Sequence, residues 1–165
     1  MKENRLQIRS AKIEDLNALI NLRKEHFDYE VNVLKNNLLD SSWATSNDSR
    51  EDFKYFILKQ IIFIAEIDDI PVGYGRVRHS SSEYLENVVG AGNLGYGISK
   101  EYRGKGYGNI LFKELLKKCK EHGYKEIKLF PLKTNEATIE IMMKNGGKII
   151  GDFKGEKHII LIPLQ

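Results

Sequence analysis

The sequence predicts a mixed α/β domain built around one sheet. Three observations carry that prediction. Apolar residues at helical spacing alternate along the chain with short runs of strand length. "IIFIAE" (61–66) is a continuous apolar run rich in isoleucine, the pattern of a strand buried on both faces. "VGYGRVR" (72–78) follows it across the turn "DDIP" (68–71) and reads as the return strand of a hairpin. The chain has 165 residues, enough for one domain over 1–165 with a substantial core. Its 41% hydrophobic and 30% charged residues are those of a globular chain rather than a disordered one.

The elements follow in order. "LQIRS" (6–10) is a short opening strand. "IEDLNALINLRKEHF" (13–27) places Ile13, Leu16, Ile20 and Phe27 near one helical face. "VNVLKNNLL" (31–39) reads as a second short helix with Val31, Leu34 and Leu38 aligned. After the polar loop 40–49, Ser49 is placed to cap a helix, with Asp52 three residues on, and Phe53, Phe56, Ile57 and Gln60 form its stripe. Beyond the hairpin, 79–92 is a loop and "NLGYGIS" (93–99) another strand. The helix over 107–121 lines up Leu111, Leu115 and Cys119, flanked by Phe112 and Leu116. A strand over 126–130, a helix over 135–145 stopped by Gly146 and Gly147, and a hairpin of 148–153 with 157–163 complete the chain.

Composition excludes several functions. The formal net charge is only +3, so there is no basic footprint for nucleic acid. No run approaches the roughly 20 apolar residues that span a bilayer, and "MKENRLQIRS" lacks the apolar run of a signal peptide. The lone Cys119 permits no internal disulfide and shares a helix face with Leu115, which makes it a core residue. A cytoplasmic location is the expectation. His26, His79, His122 and His158 share no metal-ligand spacing, so no metal is expected. Nothing marks a nucleophile elbow, and Lys117, Lys118 and Lys120 read as a solvated face.

One stretch demands a ligand. "ISKEYRGKGYGNILFKELLKKC" (98–119) sets glycines at 104, 106 and 108 directly before an amphipathic helix. The first amides of a helix have no internal acceptors, and the helix dipole adds positive potential there. Bare backbone lets a phosphate reach those amides. With Arg103 and Lys105 alongside, residues 103–109 predict a cradle for a pyrophosphate-sized anion. It is not a P-loop, because Lys105 precedes the last two glycines and no Ser or Thr follows in place. Nor is it a dinucleotide fingerprint, because the spacing is G-x-G-x-G late in the chain.

"RGKGYG" (103–108) matches the R/Q-x-x-G-x-G/A motif of the GNAT superfamily of N-acetyltransferases, and the resemblance extends over almost the whole chain. "IRSAKIEDLNALINL" is similar to that family's first strand and helix, and "FIAEIDDIPVGYGRV" to its second and third strands. "NLGYGISKEYRGKGYGNILFKELLKKCKEHGYKEIKLF" resembles the fourth strand, phosphate loop, third helix and fifth strand, and "TNEATIEIMMKNGGKIIGDF" the next helix and sixth strand. The resemblance implies the acyl-CoA N-acyltransferase fold: α/β, with a single mixed, mostly antiparallel sheet of six to seven strands flanked by helices.

It also implies a site. Acetyl-CoA would be the co-substrate, with its pyrophosphate on the amides of Gly104, Lys105, Gly106, Tyr107, Gly108 and Asn109 and with Arg103 opening the motif. Its pantetheine arm would pair with backbone at Tyr96, Gly97 and Ile98, with Asn135 on the pantetheine side. A primary amine would attack the thioester directly, and the Ile98 amide would stabilise the oxyanion. The tyrosine that many members use as general acid is Met142 here, and methionine cannot donate a proton. Tyr96 and Tyr107 are the nearest replacements. Glu66, His79 and Glu83 are the candidate bases, while Trp43, Glu83 and Tyr84 stand in segments that would shape an acceptor pocket. Partners implied are acetyl-CoA, an amine acceptor and a homodimer mate on the exposed edge strands or C-terminal hairpin. Other readings are transfer of a longer acyl chain, a non-catalytic acyl-CoA binding module, and a plain nucleotide-binding domain.

Overall fold

The computed structural model describes residues 5–35, 48–78 and 92–165. In chain order the elements are β1 (Gln7–Ser10), α1 (Leu16–Asn32), α2 (Asp48–Leu58), β2 (Ile62–Ile67), β3 (Ile70–Val77) and β4 (Leu94–Ile98), then α3 (Tyr107–Glu121), β5 (Glu126–Leu129), α4 (Glu136–Lys144), β6 (Lys148–Phe153) and β7 (Lys157–Pro163). No helix among the described residues is long and apolar enough to cross a membrane.

The α/β architecture is as the sequence predicts, but the single sheet is not. The strands form two hydrogen-bonded sheets, β1-β2-β3-β4 and β5-β7-β6, and every ladder is antiparallel. The two sheets touch at the start of β4 and no ladder joins them beyond it. Asn93 N–H donates to Lys128 C=O at 2.9 Å, and Lys128 N–H donates to Asn93 Oδ1 at 2.8 Å. A side-chain amide thus takes the place of a backbone rung, and no ladder forms between β4 and β5. The approach is close: a Cβ on Gly92 would lie 2.2 Å from the Lys128 carbonyl oxygen.

Register decides what the parting exposes. Arg78 N–H donates to Asn93 C=O and Ser99 N–H to Val72 C=O, so residues 93, 95, 97 and 99 bond to β3. Amides alternate along a strand. Those of Tyr96 and Ile98 therefore face away from β3, into the gap towards the second sheet.

Both faces of the first sheet are covered. α3 lays Leu111, Phe112, Leu115 and Cys119 on one side, all fully buried with Val72, Val77, Ile127 and Ile160. α1 and α2 cover the other side through Leu16, Leu19, Phe53 and Phe56. β2 is buried along its whole length, which is why its sequence does not alternate.

Several local expectations change. The apolar stripe of α1 is Leu16, Leu19 and Leu22, whereas Ile13 is exposed in the turn before the helix. No separate helix starts at 31: α1 runs on to Asn32, and Leu34 is buried just beyond it. Leu38 and Trp43 lie outside the described residues. α2 begins at Asp48, so Ser49 sits inside the helix rather than before it. Gln60, expected on its stripe, is exposed beyond its end in a left-handed conformation (φ 56°).

The contact at Gly92 carries a prediction. Gly92→Ala pushes β4 away from Lys128 at the point where the sheets meet. Its expected cost is about 1–3 kcal/mol, read as a lower urea midpoint with an unchanged m-value.

Candidate active site

The glycine cradle is built as its spacing implies. α3 starts at Tyr107, and the first amide to find an intrahelical acceptor is that of Ile110, which donates to Gly106 C=O at 3.4 Å. The amides of Tyr107, Gly108 and Asn109 precede it and have no helical acceptor. Gly104 (φ 74°) and Gly106 (φ 86°) are both left-handed, a conformation costly for most side chains. A Cβ on either would meet no protein atom within 4 Å, so the space before them is open. The residues present therefore fit an anion held against bare backbone.

The flanking cations divide. Arg103 does not point into the cradle: its Nε donates to Ile98 C=O at 2.9 Å, and its guanidinium lies 3.9 Å from the Tyr29 ring centroid. Its Nη2 is buried with no hydrogen-bond partner among the described residues. Arg103 thus fastens the loop to the end of β4 and keeps one donor at the gap. Lys105 is exposed, with its Nζ 5.6 Å from the Tyr102 ring. The Asn109 side chain accepts from Asn145 Nδ2 at 3.3 Å, tying α3 to α4.

β4 presents different chemistry on its two faces. Tyr96 turns towards α3 and packs on Phe112 with ring centroids 5.5 Å apart. Its hydroxyl lies 3.3 Å from Thr138 Oγ1 on α4. Burial, partly offset by that hydrogen bond, pushes the phenol up to about 12. Thr138 precedes Met142 by one helical turn, and the Met142 side chain is buried in the core. Asn135 caps α4, its Oδ1 accepting from Thr138 N–H at 3.2 Å, which leaves its Nδ2 for other contacts. Tyr107 sits at the mouth of the cradle with its ring 6.4 Å from that of Tyr102.

The opposite face of β4 is bare at Gly97, and the reason is His26 from α1. A Cβ on Gly97 would lie 2.9 Å from His26 Nδ1. His26 Nε2 lies 2.9 Å from Glu30 Oε1, one turn along α1. An ionised carboxylate only accepts, so Nε2 is the donor to Glu30, and in the neutral imidazole the lone pair is then on Nδ1, the ring nitrogen nearest the Gly97 position. α1 is stapled to this end of β4 by Glu25 as well, which accepts from Ser99 Oγ at 3.2 Å and from Lys100 N–H. The His26–Glu30 pair was missed in the sequence. Its i,i+4 spacing was visible, but nothing local showed that α1 lies across β4.

Glu66, a candidate base by sequence, is committed elsewhere. Arg9 Nε and Nη2 donate to its two carboxylate oxygens at 3.0 and 3.2 Å, and Nη1 and Nη2 of the same guanidinium donate to Asp15 at 2.7 and 2.9 Å. This clamp fixes β1 and the turn before α1 at the far edge of the sheet. Asn93 forms the contact between the sheets. His79, Glu83 and Tyr84 lie outside the described residues.

Fold and site together define an α/β domain with an anion cradle beside a parted strand pair. The sequence model of the Acetyltransferase (GNAT) family matches residues 19–146, and the chain belongs to that family. Solved structures agree on the fold. The PaiA N-acetyltransferase of Thermoplasma acidophilum, in complex with coenzyme A, superposes with a TM-score of 0.73 at 21% identity, covering 96% of this chain and 99% of that one. A ribosomal-protein-alanine N-acetyltransferase from Brucella melitensis gives 0.73 at 19% identity, with the same coverage of 96% and 99%. YncA of Salmonella typhimurium, with its cofactor acetyl-CoA, gives 0.72 at 14% identity, covering 98% and 95%. Comparison with curated proteins gives no match.

The Arg9 clamp makes a pH prediction. The Arg9 hydrogen bonds hold the Asp15 carboxyl below its ordinary value, against the opposing effect of burial and helped by Lys12 N–H. A depressed carboxyl stabilises the fold above its unfolded value and loses that contribution as pH falls through the folded value. Urea unfolding of the wild type should weaken steeply from about pH 4 downward, and Arg9→Met should flatten that decline.

Proposed function

We propose that this chain transfers the acetyl group of acetyl-CoA to a primary amine by direct attack. One observation carries the proposal: in a chain of the GNAT family, the open glycine cradle sits beside the β4 amides freed by the parting of the sheets. The α3 N-terminus and the Gly104–Asn109 backbone would hold the pyrophosphate, with the free Arg103 donor at its edge. The Tyr96 and Ile98 amides would pair with the pantetheine arm as an added strand does. Asn135 would reach the same arm through Nδ2.

The chemistry is divided between the two faces of β4. The Ile98 amide donates to the oxyanion that develops on the thioester carbonyl. His26, oriented by Glu30, accepts the amine proton from the α1 side. On the other face, Tyr96 takes over from the absent tyrosine at 142. A phenol near 12 does not surrender its proton to a thiolate whose conjugate acid has a pKa of about 8.5, so Tyr96 steadies the leaving sulfur by hydrogen bonding. Solvent then protonates the thiolate at neutral pH. The buried Met142 side chain favours a second reading, a non-catalytic acyl-CoA binding module, which predicts tight binding with no turnover.

Calorimetric titration with acetyl-CoA tests the cradle. The wild type should bind in the micromolar range. Gly106→Val should lose at least about tenfold, and Gly106→Asn, which tolerates a left-handed backbone, separates occlusion of the cradle from strain. A wild type that does not bind acetyl-CoA would overturn the proposal. Steady-state assays test the chemistry. His26→Gln should lower kcat/KM by about 10²–10⁴-fold. Tyr96→Phe should lower kcat while leaving acetyl-CoA affinity intact.

A further inference from the structure

One aromatic contact of α1 serves neither the bare backbone of the cradle nor proton transfer. α1 runs beside the chain from Gly97 to Arg103 and touches it at three places. His26 meets Gly97. Glu25 accepts from Ser99 Oγ and from Lys100 N–H, at the head of the short turn Lys100–Tyr102. Tyr29, one helical turn beyond Glu25, presents its ring to Arg103, whose guanidinium carbon lies 3.9 Å from the ring centroid. The first two contacts act on β4 and the turn after it. The third acts on the residue that opens the cradle.

Arg103 links the end of β4 to the cradle. Ile98 C=O faces away from β3, as the Ile98 amide does, and Arg103 Nε donates to it at 2.9 Å. The amide of the same peptide unit, Ser99 N–H, donates to Val72 C=O at 2.7 Å. That peptide is therefore held from both sides, by β3 on one and by Arg103 on the other. Gly104, the first left-handed residue of the cradle (φ 74°), follows Arg103 directly. One side chain thus sets how the end of β4 sits relative to the cradle. An arginine side chain is long, and fixing it in one rotamer costs entropy. A second contact on the same guanidinium offsets that cost before any ligand arrives. The Tyr29 ring supplies it, because a ring face attracts a cation without occupying its in-plane donors. Tyr29 and Arg103 are both half-buried, where such an attraction is stronger than at an exposed site.

We propose that Tyr29 is a positioning residue for acetyl-CoA: its ring holds the Arg103 guanidinium against Ile98, and so fixes the β4 amides relative to the cradle in the arrangement that one acetyl-CoA molecule spans. Tyr29 acts through Arg103 rather than on the ligand. The ring face carries the effect, so a phenylalanine serves as well. This rests on the acetyltransferase reading and adds a residue of α1 to its binding of acetyl-CoA.

Two measurements test it. The first needs no ligand. By NMR, the Arg103 Nε–H should exchange slowly with water in the wild type and in Tyr29→Phe, and about tenfold faster in Tyr29→Leu, which keeps apolar bulk without a ring face. The second is calorimetric titration with acetyl-CoA of the wild type, Tyr29→Phe, Tyr29→Leu, Arg103→Met and the Tyr29→Leu/Arg103→Met double variant. Tyr29→Leu should weaken binding by about 5- to 10-fold, and Tyr29→Phe should stay within about twofold of the wild type. In the Arg103→Met background, Tyr29→Leu should have no further effect, because the residue it acts through is gone. Equal weakening in both backgrounds is the mark of a merely structural role and overturns the proposal. So does a Tyr29→Leu variant that binds as the wild type does, or an Arg103 Nε–H that exchanges freely in the wild type. Should Tyr29→Leu or Arg103→Met fail to fold, the wild-type exchange rate and the Tyr29→Phe titration still decide, because a loss of affinity in Tyr29→Phe assigns the effect to the phenol and overturns the ring-face contact. Failure of the wild type to bind acetyl-CoA overturns the acetyltransferase reading and this proposal together, whereas additive effects in a wild type that binds overturn the proposal alone.

Discussion

Everything in the site follows from the contact at Asn93 and Lys128, beyond which no ladder joins β4 to β5. Asn93 N–H donates to Lys128 C=O and its side chain accepts from Lys128 N–H, bonds that join the two sheets. Past that point the outward amides of β4 have no strand to satisfy them, although unpaired buried amides are rare in folded proteins. The helix N-terminus a few residues later adds three more unpaired amides. In the proposed function these donors receive the acceptors of one ligand, so that sheet parting and glycine cradle are two ends of one proposed binding surface.

The second constraint is the seating of α1 across the open end of β4. Glu25 holds Ser99 and Lys100, Tyr29 lies under Arg103, and His26 occupies the space that Gly97 vacates. The bare β4 positions therefore divide by purpose. Gly104 and Gly106 meet a backbone requirement, while Gly95 and Gly97 make room for side chains arriving from β3 and α1.

How much of this the sequence discloses depends on the range of each interaction. Local patterns were legible. The helix over 107–121, the hairpin of 148–153 with 157–163 and the bare glycine loop before the helix needed only periodicity, turn residues and glycine spacing. Long-range arrangements were not. The division into two sheets depends on one asparagine side chain replacing a rung, which no periodicity signals. The face of α1 was misassigned because Ile13 and Phe27 are apolar but lie off the stripe that meets β2. Glu66 looked available until Arg9 was found on it, 57 residues away in sequence. The approach of His26 to Gly97 joins residues 71 apart in sequence, and no local pattern signals it.

Amide hydrogen exchange tests the central claim most directly, because it reports on the donors themselves. With acetyl-CoA added, exchange should slow at two separate stretches, residues 96–98 and 104–109, while the β3 and β7 strands change little. Protection confined to the second stretch would leave the cradle as an isolated anion site and contradict the continuous surface described here. Protection at neither stretch would contradict the account as a whole.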